Sequence, residues 1–272
     1  MIKIKTQEEI QVMAEGGRIL GRVLTHLVKN ARPGITTLEL DREAEKEILE
    51  AGGEPSFKTV PRYKFTTCLC VNEVVVHGIP TDYRLQKGDI LGIDVGLLYK
   101  GFHTDAAWTV IVGNQESRRR QDSLTSWRSS GPKAAGVRDQ GGKRFLEVGK
   151  EALKKAISVA REGNHVGDIS QAIQTVVEGA GYSVVRTLVG HGIGRKLHED
   201  PEVPGFVTGK PEVSPLLREG MTLAIEVIYN MGSAEVTYRK DGWTIASWDG
   251  SLSGLFEKTV AITKAEPIIL TP

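Results

Sequence analysis

The sequence predicts an α+β fold made of two like halves, and two observations carry that prediction. A helix–helix–strand order occurs once over about residues 1–113 and again over about 145–268. One strand is also written twice. KGDILGIDV (87–95) and EGMTLAIEV (219–227) align Gly88 with Gly220, Leu91 with Leu223, Ile93 with Ile225 and Asp94 with Glu226. Smaller echoes agree: LEAGG (49–53) resembles VEGAG (177–181), and HGI stands at both 77–79 and 191–193. A solenoid would need at least three copies, so two copies point to one duplicated domain spanning 1–272.

Each element has its own signal. Thr6-Gln7-Glu8-Glu9 fits a capping box, and Ile10, Met13, Ile19, Leu20, Val23, Leu24 and Leu27 follow at helical spacing. Arg32-Pro33-Gly34 ends that helix. A second helix runs from about Thr37 to Ala51 and stops at Gly52-Gly53. Residues 65–77 and 89–111 are rich in β-branched residues and read as strands. The order then repeats. Phe145, Leu146, Val148, Leu153, Ala156 and Ile157 mark a helix over 145–160, broken at Glu162-Gly163. A helix from about Asp168 to Glu178 and strands at 182–190, 221–229 and 257–263 complete it.

Residues 114–144 fit neither half. They carry eight Lys/Arg against three Asp/Glu, with Pro132 and several glycines. Two readings stand: a polar surface loop or insertion, and a basic contact for ribosome or RNA, with Trp127 among the arginines as its extra support.

Bulk composition narrows the function. Hydrophobic residues make up 40% and charged residues 25%, with a net charge of +1, so the chain as a whole is no specific nucleic-acid binder. No apolar run approaches the ~18 residues of a membrane span, and MIKIKTQEEI lacks the apolar core of a signal peptide. Cys68 and Cys70, spaced C-x-C on a strand, are expected to be reduced thiols in a cytoplasmic protein.

Asp94 raises the chemical question, because a bare carboxylate in an apolar strand costs several kcal/mol or is forced to take a proton. If Lys100-Gly101 is a two-residue hairpin loop, Tyr99 faces Phe102 and Gly96 faces Asp105. Asp94 and Asp105 then lie diagonally on one face, roughly 7–8 Å apart at the backbone. A three-residue loop would shift this register. Glu226 repeats Asp94 in the second half, and Glu257 is read as repeating Asp105 near the start of a later strand. Singly, each carboxylate could be half of a buried salt bridge. As a set of four in strands without matching cations, they point to metal. His191, in VGHGIGRKLHED, supplies a fifth donor. Four carboxylates and one imidazole suit two borderline divalent ions, Mn, Fe, Co or Zn, rather than Mg or Ca. Two such ions can bridge a water or hydroxide and make it a nucleophile. The common motifs of other hydrolases and of nucleotide binding are absent from the sequence. His77 and His198 accompany these motifs and are assigned to the substrate side. His26 and His165 read as structural, and His103 shares the strand parity of Asp105.

The ordered set VNEVVVHGIP, GDILGIDVG, GFHTDAA, GHGIGRKLHEDPEVP, EGMTLAIEV and SLSGLFEKT resembles the type I methionine aminopeptidases, over about 1–113 and 145–268. The resemblance implies the pita-bread fold, with helices outside a curved antiparallel sheet. It implies that Asp94, Asp105, His191, Glu226 and Glu257 are the ligands of two divalent metal ions, bridged by Asp105 and Glu257. It implies removal of initiator methionine from nascent chains whose second residue is small, through a hydroxide held between the ions. Glu226 would shuttle a proton, His77 would contact the substrate backbone and the leaving amine, and His198 would steady the scissile carbonyl or its tetrahedral intermediate. Tyr63, Cys68 and Trp243 match the methionine pocket, with plain strand core as the other reading of Cys68. The implied partner is a polypeptide N-terminus, with transient ribosome association, no membrane, and a monomeric state. Leu197, Val227 and Lys258 depart from the family pattern, where an aromatic residue, proline and histidine are usual. The rival readings are a proline-type dipeptidase of the same fold and a non-catalytic RNA- or protein-binding homologue. The filled ligand positions speak against the latter.

Overall fold

A computed structural model describes residues 2–113 and 137–272. Helix α1 (Gln7–Asn30) begins where the capping box forms: the Thr6 hydroxyl accepts the Glu9 N–H at 3.3 Å and the Glu9 carboxylate accepts the Thr6 N–H at 3.0 Å. Helix α2 (Thr37–Glu50) starts with the same device, built from Thr36 and Glu39. Strands β1 (Glu54–Pro55), β2 (Thr67–Val71), β3 (Val74–Val76), β4 (Ile90–Tyr99) and β5 (Phe102–Ile111) complete the first half. The second half holds α3 (Val137–Val159), α4 (Val166–Gly179), β6 (Ser183–Val184), β7 (Val189–Gly192), β8 (Glu199–Pro204) and β9 (Thr222–Asn230). It continues with β10 (Val236–Tyr238), β11 (Ile245–Ser247), β12 (Ser253–Ala261) and β13 (Ile268–Ile269). Among the described residues no helix is long and apolar enough to cross a membrane.

Helix α3 begins at Val137, eight residues before the apolar pattern that marked it at 145. Its first turns, VRDQGGKR, carry no apolar stripe for a sequence to reveal. The rest of the basic stretch, 114–136, lies outside the described residues. Strand β8 was also not expected, because EDPEVP has neither the alternation nor the β-branched content of a strand.

Ten strands form one antiparallel sheet ordered β1-β4-β5-β12-β9-β7-β8, with β2 also on β4, β6 on β9 and β13 on β12. Strand alternation explains the strange sequences of β4 and β9. Leu91, Ile93, Val95 and Leu97 face α1 and α2, packing against Leu20, Leu24, Leu27, Leu40 and Ile48. Leu223, Ile225, Val227 and Tyr229 meet Phe145, Leu153, Ile169 and Ile173 of α3 and α4. Asp94 and Glu226 stand at the intervening positions, so both belong to the face without helices.

The β4–β5 hairpin turns through Lys100 (φ +48°) and Gly101 (φ +81°). Two central residues of positive φ make a type I′ turn, which favours glycine. The pairs Tyr99–Phe102 and Gly96–Asp105 form as expected, with Asp94 opposite Ala107.

At the centre, β5 meets β12 through Glu257–Ala107 and Lys258–Ala106. A threonine continues the joint on each side. Thr109 Oγ1 donates to Leu255 O at 2.7 Å and accepts the Leu255 N–H at 2.9 Å. Thr259 Oγ1 donates to Asp105 O at 2.8 Å and accepts the Asp105 N–H at 2.9 Å. This two-fold relation maps Thr109 onto Thr259 and Asp94 onto Glu226. It maps Asp105 onto Leu255 and Ala107 onto Glu257, so the expected equivalence of Asp105 and Glu257 is corrected. Glu257 is also in mid-strand, since β12 begins at Ser253.

Where the first half has a two-residue turn, the second has residues 231–252. They form β10 and β11, which join β3 in a separate three-stranded sheet, and the turn between the two carries Trp243.

Candidate metal centre

The helix-free face of the sheet presents two adjacent rows. The first runs Cys68–Asp94–Ala107–Glu257–Glu226 across β2, β4, β5, β12 and β9. The second begins with the pair Gly96–Asp105 and continues through Thr259–Ala224–His191 to the exposed Glu202 of β8, the Thr259 hydroxyl bonding the Asp105 backbone. Small residues stand among the donors, so the carboxylates can lean together over Gly96, Ala107 and Ala224. One ligand atom each from Asp105, His191 and Glu257 lie within 4.8 Å of one another. His191 Nε2 is 3.6 Å from Glu226 Oε1.

Electrostatics show how costly the arrangement is without a cation. Asp94 is pushed well above the usual carboxylate range by burial and by the charges of Asp105 and Glu226. Burial pushes Asp105 to about 7 despite the hydrogen bond from the Ala106 N–H. Glu226 and Glu257 rise well above their ordinary values by burial and by the neighbouring carboxylates, Asp105 first. Asp94 Oδ1 and Glu257 Oε1 are buried with no hydrogen-bond partner. Orphaned buried acceptors of this kind normally find a partner or a cation.

The imidazole is set for coordination. The carbonyl of Gly192, 2.8 Å from His191 Nδ1, can only accept, so the proton sits on Nδ1 and Nε2 keeps its lone pair toward the carboxylates. Burial and the nearby His198 lower the His191 pKa to about 4, which keeps the ring neutral. Four carboxylates and one neutral imidazole fit borderline divalent cations.

A cavity of about 980 Å³ opens over this face, lined among others by His77, Phe102, His191, His198 and Glu226. His77 (φ +56°) follows β3, and its carbonyl accepts the Thr244 hydroxyl at 3.4 Å. His198 packs edge-on against His191, ring centres 4.4 Å apart. Burial lowers the pKa of both His77 and His198, and the proximity of His198 lowers His77 further.

Tyr63, Cys68 and Trp243 come together. The Tyr63 and Trp243 rings meet edge-on at 5.0 Å, and the Tyr63 hydroxyl lies 3.3 Å from Cys68 Sγ. Leu197, the departure in this region, belongs to the same apolar cluster, as does Phe65, which sequence reasoning did not single out. Val227 and Lys258 point to the helix side of the sheet, away from the donors. His103 is buried and hydrogen-bonded to Ser56. His26 pairs with Glu47 on the surface and His165 precedes α4, so neither joins the site.

Fold and site together define a helix-backed, duplicated sheet whose open face can hold divalent cations beside a substrate cavity. The chain belongs to metallopeptidase family M24, whose model matches residues 11–264. It is 44% identical to a methionine aminopeptidase of Clostridium perfringens, with 100% of this chain and 99% of the relative covered. It is 42% identical to methionine aminopeptidase 1 of Bacillus subtilis, again over 100% and 99%. Among solved structures, the methionine aminopeptidase of Thermotoga maritima matches at TM-score 0.88 and 38% identity, covering 100% of this chain and 99% of that one. A prolidase of Pyrococcus furiosus shares the pita-bread fold at TM-score 0.73 and 22% identity, covering 99% of this chain and 65% of that one.

Proposed function

We propose that this chain is a metal-dependent aminopeptidase that removes the N-terminal methionine from polypeptides whose second residue is small. The two halves act as one catalytic domain. The observation that carries this reading is the buried donor face, where Asp94 and Glu257 hold unpartnered oxygens and from which His191 and Glu226 line the cavity. The full-length relatives named methionine aminopeptidase support the specificity.

Two divalent ions would be held by Asp94, Asp105, His191, Glu226 and Glu257, of which Asp105 and Glu257 stand on the central strands β5 and β12. Bound ions supply Lewis acidity and make a nucleophile from water near neutral pH. The protein's own groups do the rest. Tyr63, Cys68 and Trp243 offer a thioether an aromatic and apolar seat. His77, whose pKa is lowered by desolvation and by His198, can bond the substrate backbone and pass a proton to the leaving amine. His198, whose pKa burial also lowers, can donate to the scissile carbonyl oxygen as it gains charge. Glu226 takes and returns a proton. Nascent chains in the cytoplasm are the natural source of such N-termini, and a monomer visiting the ribosome transiently suits that supply.

Metal-stripped protein given Mn, Fe or Co should release methionine from Met-Ala-Ser and leave Pro-Ala-Ser intact. Cleavage of both, or of neither, refutes the proposal.

A further inference from the structure

We propose that the buried ion pair between Lys5 and Glu199 positions His198, so that the N-terminal segment of the first half sets a group of the second. The inference rests on the role given to His198 above.

Lys5 Nζ lies 2.7 Å from Glu199 Oε2, with the two side chains 5% and 7% exposed. The lysine is anchored at both ends, since its backbone N–H donates to Gly220 O at 2.8 Å. Its stem crosses Gly194 so closely that a Cβ there would lie 2.4 Å from Lys5 Cε. Glycine leaves room for this approach, and a larger residue at 194 would push the Lys5 stem aside. Glu199 then gathers the loop behind it: Oε1 accepts the Lys196 N–H at 3.1 Å. The Gly194 N–H donates to Lys196 O at 3.1 Å, and Gly194 O accepts the His103 N–H of β5 at 2.7 Å.

His198 is the residue next to Glu199 and stands over His191. Among the described residues its imidazole has no hydrogen bond to a neighbouring side chain, so its place is set by the backbone that carries it. The other cations at this rim do different work. Arg195 pairs with Glu9 at 2.8 Å and covers the Phe102 ring, and Lys196 is exposed. Lys5 alone among them is buried against the loop.

A double-mutant cycle tests the coupling. With metal-loaded protein and Met-Ala-Ser, Lys5→Met should lower kcat by about 10- to 100-fold while KM changes by less than about 2-fold, as for a catalytic group moved by about 1 Å. In a His198→Ala background the same substitution should lower kcat no further. Lys5→Met with Glu199→Gln removes both charges, so Tm should recover while kcat stays low. Additive losses in the cycle, or a kcat that recovers with Tm, overturn the inference. One readout needs no activity. In NMR spectra the ring signal of His198, assigned through His198→Ala, should shift or broaden in Lys5→Met while those of His26 and His165 stay. An unmoved signal refutes the inference whatever the substrate. Wild-type protein without metal-dependent methionine release refutes the proposed function instead.

Discussion

The donor face makes the metal-free protein pay for its carboxylates as pH rises, and the slope can be worked out. A carboxyl whose folded pKa is raised binds its proton more tightly folded than unfolded. Its contribution is full below the unfolded pKa near 4 and is lost as pH rises through the folded value. Asp105, at about 7, crosses its midpoint near neutrality. Asp94, Glu226 and Glu257 are all raised, by burial and by one another. The histidines act in the opposite sense. His77, His103, His191 and His198, all lowered by burial, cost stability as pH falls through the unfolded value near 6.5, and just above it they still offset about 0.3 kcal/mol each of the carboxyl slope. Lys258, lowered to about 8 by burial, begins to lose its proton at higher pH, so the window for reading the carboxyls ends near pH 7.5.

Between pH 6.5 and 7.5, each raised carboxyl loses at most about 1.4 kcal/mol of stability, the limit for a group that holds its proton in the folded state and not in the unfolded one. Asp105 in mid-titration adds about 0.7 kcal/mol. With three raised carboxyls beside Asp105 set against the four histidines, metal-free protein should lose on the order of 2 kcal/mol between pH 6.5 and 7.5, a fall in Tm of about 4–8 °C for a chain of this size. Melts of chelated protein at three pH values measure it. Metal-loaded protein should show little of this slope, because cations hold the carboxylates ionised in the folded state. A metal-free Tm that stays flat or rises across the window refutes the reasoning.

Three other substitutions follow. Asp94→Asn should lower metal-dependent methionine release by more than about 100-fold yet raise the Tm of metal-free protein at pH 7.5, since it removes a carboxyl that must take up a proton or bear its neighbours' repulsion on folding; activity assays and melts check both. Trp243→Ala should open the pocket beside Tyr63 and raise KM for methionyl peptides by about 5- to 20-fold with less effect on kcat. Gly190→Ala would set a Cβ 2.5 Å from Ala224 O, beside His191; it should cost about 2 kcal/mol or more and weaken metal affinity in calorimetric titration.

Much of the donor face was legible because it breaks a pattern. Asp94 and Glu226 interrupt apolar strands, and Lys100-Gly101 fixes the hairpin that sets Asp105 diagonal to Asp94. Local chemistry decided these features. The joint between β5 and β12 was not legible, because no turn links those strands. Aligning the halves on their acids paired Asp105 with Glu257. Aligning AWTVIV (107–112) with EKTVAI (257–262) on Thr109-Val110 and Thr259-Val260 gives the register the hydrogen bonds show. The Lys5–Glu199 pair spans 194 positions, and neither residue is unusual in its own surroundings.

The corrected register changes how the centre is understood. Under strict two-fold symmetry the only paired acids would be Asp94 and Glu226, three strand steps apart on β4 and β9. At 4.7–4.9 Å per step that is roughly 14 Å, too far to share a cation or to flank a pair of them closely. The asymmetric residues fill this gap. Glu257 stands where the first half has Ala107, and Asp105 where the second half has Leu255. Asp105 thereby shares its row with His191, and Glu257 shares its row with Asp94 and Glu226. Each row gains a carboxylate at the centre, and a cation can be reached from both rows. Exchanging one row for the other tests this. Asp105→Ala with Ala107→Asp keeps the number of acids and both strands, but sets the new carboxylate directly opposite Glu257, about 5 Å away at Cβ. Repulsion in that row would rise, and the row of His191 would keep only the exposed Glu202 of β8 as an acid. Calorimetric titration should show metal affinity reduced by more than about 100-fold, about 2.7 kcal/mol, with the fold retained by circular dichroism. Unchanged affinity would mean that the count of carboxylates, and not their stagger between the two rows, builds the centre.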